Sequence, residues 1–131
     1  MKATQSFYPY EIDRKVIMKK DKAELNNWTN DLEYINEELE YLLMIQEQFL
    51  NNSNLYQQLH SIRRENTLKL GSLYRYEGGI RNVMNDNAAY CDSFYFNNHE
   101  KNRNMYLEHL TKYRTIKSKV LSKIAVDAKD N

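Results

Sequence analysis

The stretch LNNWTNDLEYINEELEYLLMIQEQFL, residues 25–50, decides the fold. Its apolar residues fall at Leu25, Trp28, Leu32, Ile35, Leu39, Leu42 and Phe49, with Gln46 in the remaining slot. Steps of three and four alternate without a break, the heptad spacing of a helix packed along a seam. Leu43 and Leu50 widen the stripe toward its carboxyl end. Acids take the other faces: Glu24, Asp31, Glu33, Glu37, Glu38, Glu40 and Glu47. The pattern predicts a helix over about 21–50. Upstream, Ser6-Phe7-Tyr8-Pro9-Tyr10 reads as a helix start with proline at an early position. The first helix is therefore expected to extend back to about residue 10, with residues 1–9 flexible.

Asn51-Asn52-Ser53-Asn54 ends this helix. Asparagine tolerates the left-handed position after a helix, and Ser53 or Asn54 is suited to cap the next one. So short a connection makes the two helices antiparallel neighbours. The second helix, about 54–84, carries Leu55, Leu59, Ile62, Asn66, Lys69, Leu73, Tyr76, Ile80 and Val83 on its seam. Asn66 and Lys69 are flaws in that seam, with Leu68 and Leu70 close by as substitutes. Gly71, Gly78 and Gly79 lie inside the helix, where each costs about 1 kcal/mol against alanine. A weakened or kinked segment is expected near 78–79. A loop within 85–91 leads to a third helix over about 90–125, with Tyr106, Leu107, Leu110, Tyr113, Ile116, Val120, Leu121 and Ile124 as its apolar set. Residues 126–131 are short and polar, and are expected to fray.

Composition agrees with long helices. Three glycines and one proline in 131 residues are too few for a β-sandwich or barrel, whose frequent tight turns draw on both. The whole chain is read as one all-α domain: an elongated, antiparallel three-helix bundle with coiled-coil-like packing. No apolar run is long enough to span a membrane. No secretory leader is visible, and the single Cys91 has no internal disulfide partner. A cytoplasmic location is the expectation.

A net charge of +1 hides a segregation. Residues 21–50 hold eight acids against Lys22 alone, whereas residues 100–124 hold seven bases against Glu100 and Glu108. In an up-down-up bundle the first and third helices lie parallel, and these flanks face each other. The effect is orientation more than stability, since each exposed pair contributes about 0–1 kcal/mol. The competing reading presents the basic third helix, through Lys112, Arg114, Lys119 and Lys123, to nucleic acid or another polyanion. A pI near 7.8 and the lack of any zinc-finger or RRM signature disfavour nucleic acid.

Local motifs give no catalytic residue, no cofactor site and no metal site. His60, His99 and His109 lack the Glu-x-x-His and His-Glu-x-x-His spacings. Cys91 has Asp92 beside it and no adjacent cation, which disfavours the thiolate. Gly78-Gly79 lacks the flanks of a phosphate loop. An enzyme with a small-molecule substrate is not expected.

Two features invite a role. Gln46 and Lys117 sit on apolar seams at similar height, which suggests a polar layer that fixes helix register. Eleven tyrosines include Tyr34 and Tyr41, seven apart beside the main seam of the first helix. With Ile45 they form a second apolar strip, either the contact to the third helix or an outward surface. The function expected is that of a non-catalytic interaction or scaffolding module, self-associating or binding a protein partner through Tyr34, Tyr41 and Ile45.

Overall fold

Helix α1 runs from Lys2 to Ile45 and continues into a π-helical turn, Gln46–Leu50. Helix α2 spans Ser53–Asn85 and α3 spans Cys91–Asp130. This is a computed structural model that describes the backbone of residues 2–85 and 91–130 and the side chains of 13–81 and 97–129. The expected loop between the second and third helices falls largely on 86–90, and the thiol of Cys91 and the side chain of Val83 also lie outside the described residues. Among the described residues no helix is long and apolar enough to cross a membrane.

Cross-helix bonds give the directions. Between α1 and α2, Asn36 meets Asn66 and Glu40 meets Arg63, so the numbers run in opposite senses. Between α2 and α3, Tyr76 meets His99, Asn66 meets His109 and Glu65 meets Lys112, again in opposite senses. Helices α1 and α3 rise together: Glu24 meets His99, Asp31 meets Tyr106 and Glu38 meets Tyr113. The result is the expected up-down-up three-helix bundle. At about 1.5 Å rise per residue, the 33 residues of α2 span about 50 Å.

The heptad positions of α1 form the core. Leu25, Trp28, Leu32, Ile35, Leu39 and Leu42 are buried, together with Met18. They pack against Leu55, Leu59, Ile62, Leu73 and Ile80 of α2 and against Tyr106, Tyr113, Ile116 and Val120 of α3. Leu43, Leu50 and Leu70 close the edges, while Leu68, Leu107 and Leu121 point outward.

Three expectations are corrected. The first helix starts at Lys2, so Pro9 lies inside it and not in its first turn. Phe49, placed on the seam by its spacing, is 72% exposed. The π turn adds a residue to the last turn of the helix and so carries Phe49 off the seam. The cap of α2 is Asn52, not Ser53 or Asn54, because its Oδ1 accepts the Leu55 N–H at 3.0 Å. Helix α2 is continuous through Gly78 and Gly79, neither of which has positive φ, so the weakening expected there is one of helix propensity and not a break.

The layer expected from Gln46 and Lys117 does not form. Gln46 is buried, but its Oε1 accepts the Asn52 N–H at 2.5 Å and serves the turn. Its carbonyl accepts the N–H of Asn51, which takes the left-handed conformation at φ 48°. Lys117 reaches sideways to Glu38 at 2.9 Å. The polar layer lies elsewhere, at the supposed flaw Asn66. Its Nδ2 donates to the Leu32 carbonyl at 2.8 Å and to Asn36 Oδ1 at 2.7 Å. Its Oδ1 accepts His109 Nε2–H at 2.8 Å. Asn66 thus bonds to both other helices in the centre of the bundle, and it and His109 are fully buried.

Candidate functional site

The α1–α3 seam carries the main polar constellation of the described residues. Glu24, Asp31 and Glu38 recur at sevens along α1, and His99, Tyr106 and Tyr113 recur at sevens along α3. Each acid meets its partner 75 residues onward. A second series lies four residues further along α3, where Arg103 takes Glu24 and Lys117 takes Glu38. Ile45 and Ile124 continue that series and line one apolar cleft. The acid-rich flank of α1 thus meets α3 in register, and from the base-rich flank Arg103 and Lys117 turn toward it, while Lys112 and Lys119 turn toward α2.

At one end of the seam the groups condense into a cluster. Arg103 donates from Nε to Glu24 Oε2 at 2.9 Å and from Nη2 to Oε1 at 2.7 Å, and it also pairs with Glu100. This two-pronged bond holds the Glu24 carboxyl at about 2, against the opposing pull of burial. Oε1 also accepts His99 Nε2–H at 2.7 Å. Asp21 Oδ1 lies 3.4 Å from the same nitrogen. The other ring nitrogen, Nδ1, pairs with the Tyr76 hydroxyl at 2.7 Å. Trp28 stacks on the imidazole with centroids 5.1 Å apart and on Tyr106 at 5.5 Å. His99 is buried at the meeting point of all three helices.

Farther along, Tyr106 O–H donates to Asp31 at 2.5 Å; burial, reinforced by that carboxylate, pushes the phenol up to about 12. Burial and Glu38 raise Tyr113 as well. Glu38 is held low despite its burial by Lys117 and the Tyr113 hydroxyl. These shifts keep Glu24 and Glu38 charged and Tyr106 and Tyr113 protonated, as their bonds require.

The tyrosine strip divides. Tyr34 and Tyr41 are 63% and 65% exposed, so most of their surface points outward. Ile45 is half-buried, packs on the core and faces Ile124. Of the four bases assigned to a polyanion, Lys112 is engaged by Glu65 at 2.9 Å and Lys119 reaches Gln58 at 3.4 Å. Arg114, Lys119 and Lys123 share an open, hydroxyl-lined groove of about 820 Å³ on the outer side of α3.

The sequence offered no local signal for Asp21, Glu24, Tyr76, His99 and Arg103, because His99 stands 75 residues from Glu24. The matching sevens at 24, 31, 38 and 99, 106, 113 were the available clue. No protein-family model, curated protein or solved structure matches the chain.

Proposed function

We propose that this three-helix bundle is a small, non-catalytic interaction module of the cytoplasm, with coiled-coil-like packing inside and a partner-binding face outside. The single observation that carries this proposal is the outward placement of Tyr34 and Tyr41, seven residues apart on one face of α1, with Met44 also exposed beside them. Tyrosine brings large contact area and a polar tip at low entropic cost, and is enriched at interfaces. A protein partner or a second copy of the chain is the occupant. Sedimentation over a hundredfold range of concentration, with and without Tyr34→Ala and Tyr41→Ala, tests the proposal. Association that the double variant abolishes supports it; a strictly monomeric chain with no co-purifying protein overturns it.

The groove on α3 favours a second function. Arg114, Lys119 and Lys123 stand there with the hydroxyls of Ser118 and Ser122, a donor set suited to phosphate or sulfate groups, while Thr111 and Thr115 donate back to carbonyls of α3. Retention on a polyanion column that falls steeply with salt is the result expected of this function.

A further inference from the structure

The cluster at the head of the α1–α3 seam brings two carboxylates and an imidazole together, all of metal-ligating type. Arg103 holds Glu24 in place. A single Nε2–H of His99 satisfies one acceptor well, yet two carboxylate oxygens converge on it: Glu24 Oε1 at 2.7 Å and Asp21 Oδ1 at 3.4 Å. Asp21 is itself only 8% exposed. One donor atom from each of the three residues lies within 4.8 Å of the others.

We propose that Asp21, Glu24 and His99 form a binding site for a divalent transition-metal ion of the zinc class, held by one carboxylate oxygen of each acid and by Nε2 of His99. On binding, Nε2 gives up its proton and offers its lone pair to the ion, which takes the place of the N–H as the group shared with the two oxygens. Three protein ligands leave a position for water, as zinc accepts. The imidazole nitrogen selects zinc, cobalt or nickel over magnesium and calcium, which take oxygen ligands.

Supports of the kind that metal ligands need are already in place. Tyr76 fixes His99 through Nδ1 at 2.7 Å. Once Nε2 coordinates the ion, the ring carries its proton on Nδ1 and donates it to the Tyr76 oxygen, the usual outer-shell arrangement for a ligating histidine. Arg103 orients Glu24 through both oxygens, and Trp28 covers the ring. The Arg103 guanidinium beside Glu24 offsets part of the attraction between the carboxylates and the ion. Because the ligands come from α1 and α3, binding staples the two helices and adds to folding stability.

The chain has one tryptophan, and it stacks on the proposed ligand. Metal-stripped protein is titrated with cobalt(II), following Trp28 emission and the visible cobalt absorption, and then with zinc(II) in competition. The expected result is quenching that saturates at one ion per chain, reversed by zinc, with a higher melting temperature in the zinc form. Asp21→Asn and His99→Gln each weaken the titration at least tenfold. Tyr76→Phe, which removes only the outer-shell hydroxyl, weakens it about tenfold. His60→Gln leaves it unchanged. Should His99→Gln not fold, Asp21→Asn and Tyr76→Phe decide. Unaltered Trp28 emission at millimolar cobalt, or equal quenching in wild type and Asp21→Asn, overturns the proposal.

Discussion

Asn66 of α2 and His109 of α3 meet at 2.8 Å in the centre of the bundle, with neither side chain reaching solvent. The amide also binds the Leu32 carbonyl and Asn36, so one side chain joins three helices at one level. Asn66→Ala removes three bonds and leaves the Leu32 carbonyl and His109 without them in the core. A loss of about 2–4 kcal/mol is expected in urea unfolding. Asn66→Ala and His109→Ala together cost less than the sum of the single changes, because they share a bond. Strict additivity contradicts the coupling.

The same layer sets a pH dependence. Burial, with Lys69 and Lys112 nearby, lowers His109 from 6.5 to about 4, and only Glu65 opposes it. The unfolded chain therefore binds a proton below pH 6.5 that the folded chain refuses until about pH 4. Stability is fully present above 6.5 and falls as the pH drops from 6.5 to 4, by up to about 3 kcal/mol. His109→Gln flattens that interval in denaturant midpoints measured from pH 7 to 4. A profile identical to wild type would count against a neutral buried imidazole.

Gly78 and Gly79 weaken α2 without any compensating contact. Neither has positive φ, and an added Cβ at either position meets nothing within 4 Å. Alanine at each is expected to stabilise the protein by about 0.5–1 kcal/mol, read as a raised melting temperature. Hydrogen exchange at 78–80 slows in the double variant. An unchanged exchange rate argues that the segment was not the soft part of the helix.

Arg103 and Lys117 occupy equivalent places in the repeat yet differ in consequence. Lys117 makes a single bond to Glu38, which Tyr113 also serves; Lys117→Leu is expected to cost about 1 kcal/mol or less. Arg103→Met breaks a two-pronged bond and is expected to cost about 1–2 kcal/mol. It also releases the Glu24 carboxyl from about 2 toward its ordinary 4.5. The stability Glu24 contributes is present above pH 4.5 and is lost between 4.5 and 2, so acid titration of the variant loses that component. Equal costs for the two substitutions would refute the distinction.

The sequence revealed the bundle through repetition along one helix. Leu25 to Leu42 lie at heptad steps, and packing along a seam follows from the step alone. Phe49 escaped that logic because a π turn changes the count per turn, and apolar spacing does not encode backbone hydrogen bonding. Asn66 looked like a flaw because its partners, His109 and the Leu32 carbonyl, are remote in the chain. The charge segregation foretold which helices face each other. It did not foretell that Glu24, Asp31 and Glu38 select one residue each, since side-chain reach and burial fix those pairs only after α2 has brought α3 back beside α1. Asp21, His99 and Arg103 stayed hidden for the same reason.

The regular offset of 75 residues between Glu24, Asp31, Glu38 and their partners acts like a ruler with equal marks, and such a ruler is ambiguous. If α3 slid by one heptad, Asp31 would find Tyr113 in place of Tyr106, and Glu24 would find Tyr106 in place of His99. The middle of the seam would barely distinguish the two alignments. The ends do. Glu38 would come to face Val120, and His99 would leave both carboxylates for the apolar Ile17. The one mark unlike the rest, a histidine among tyrosines, thereby tells the chain where to begin counting.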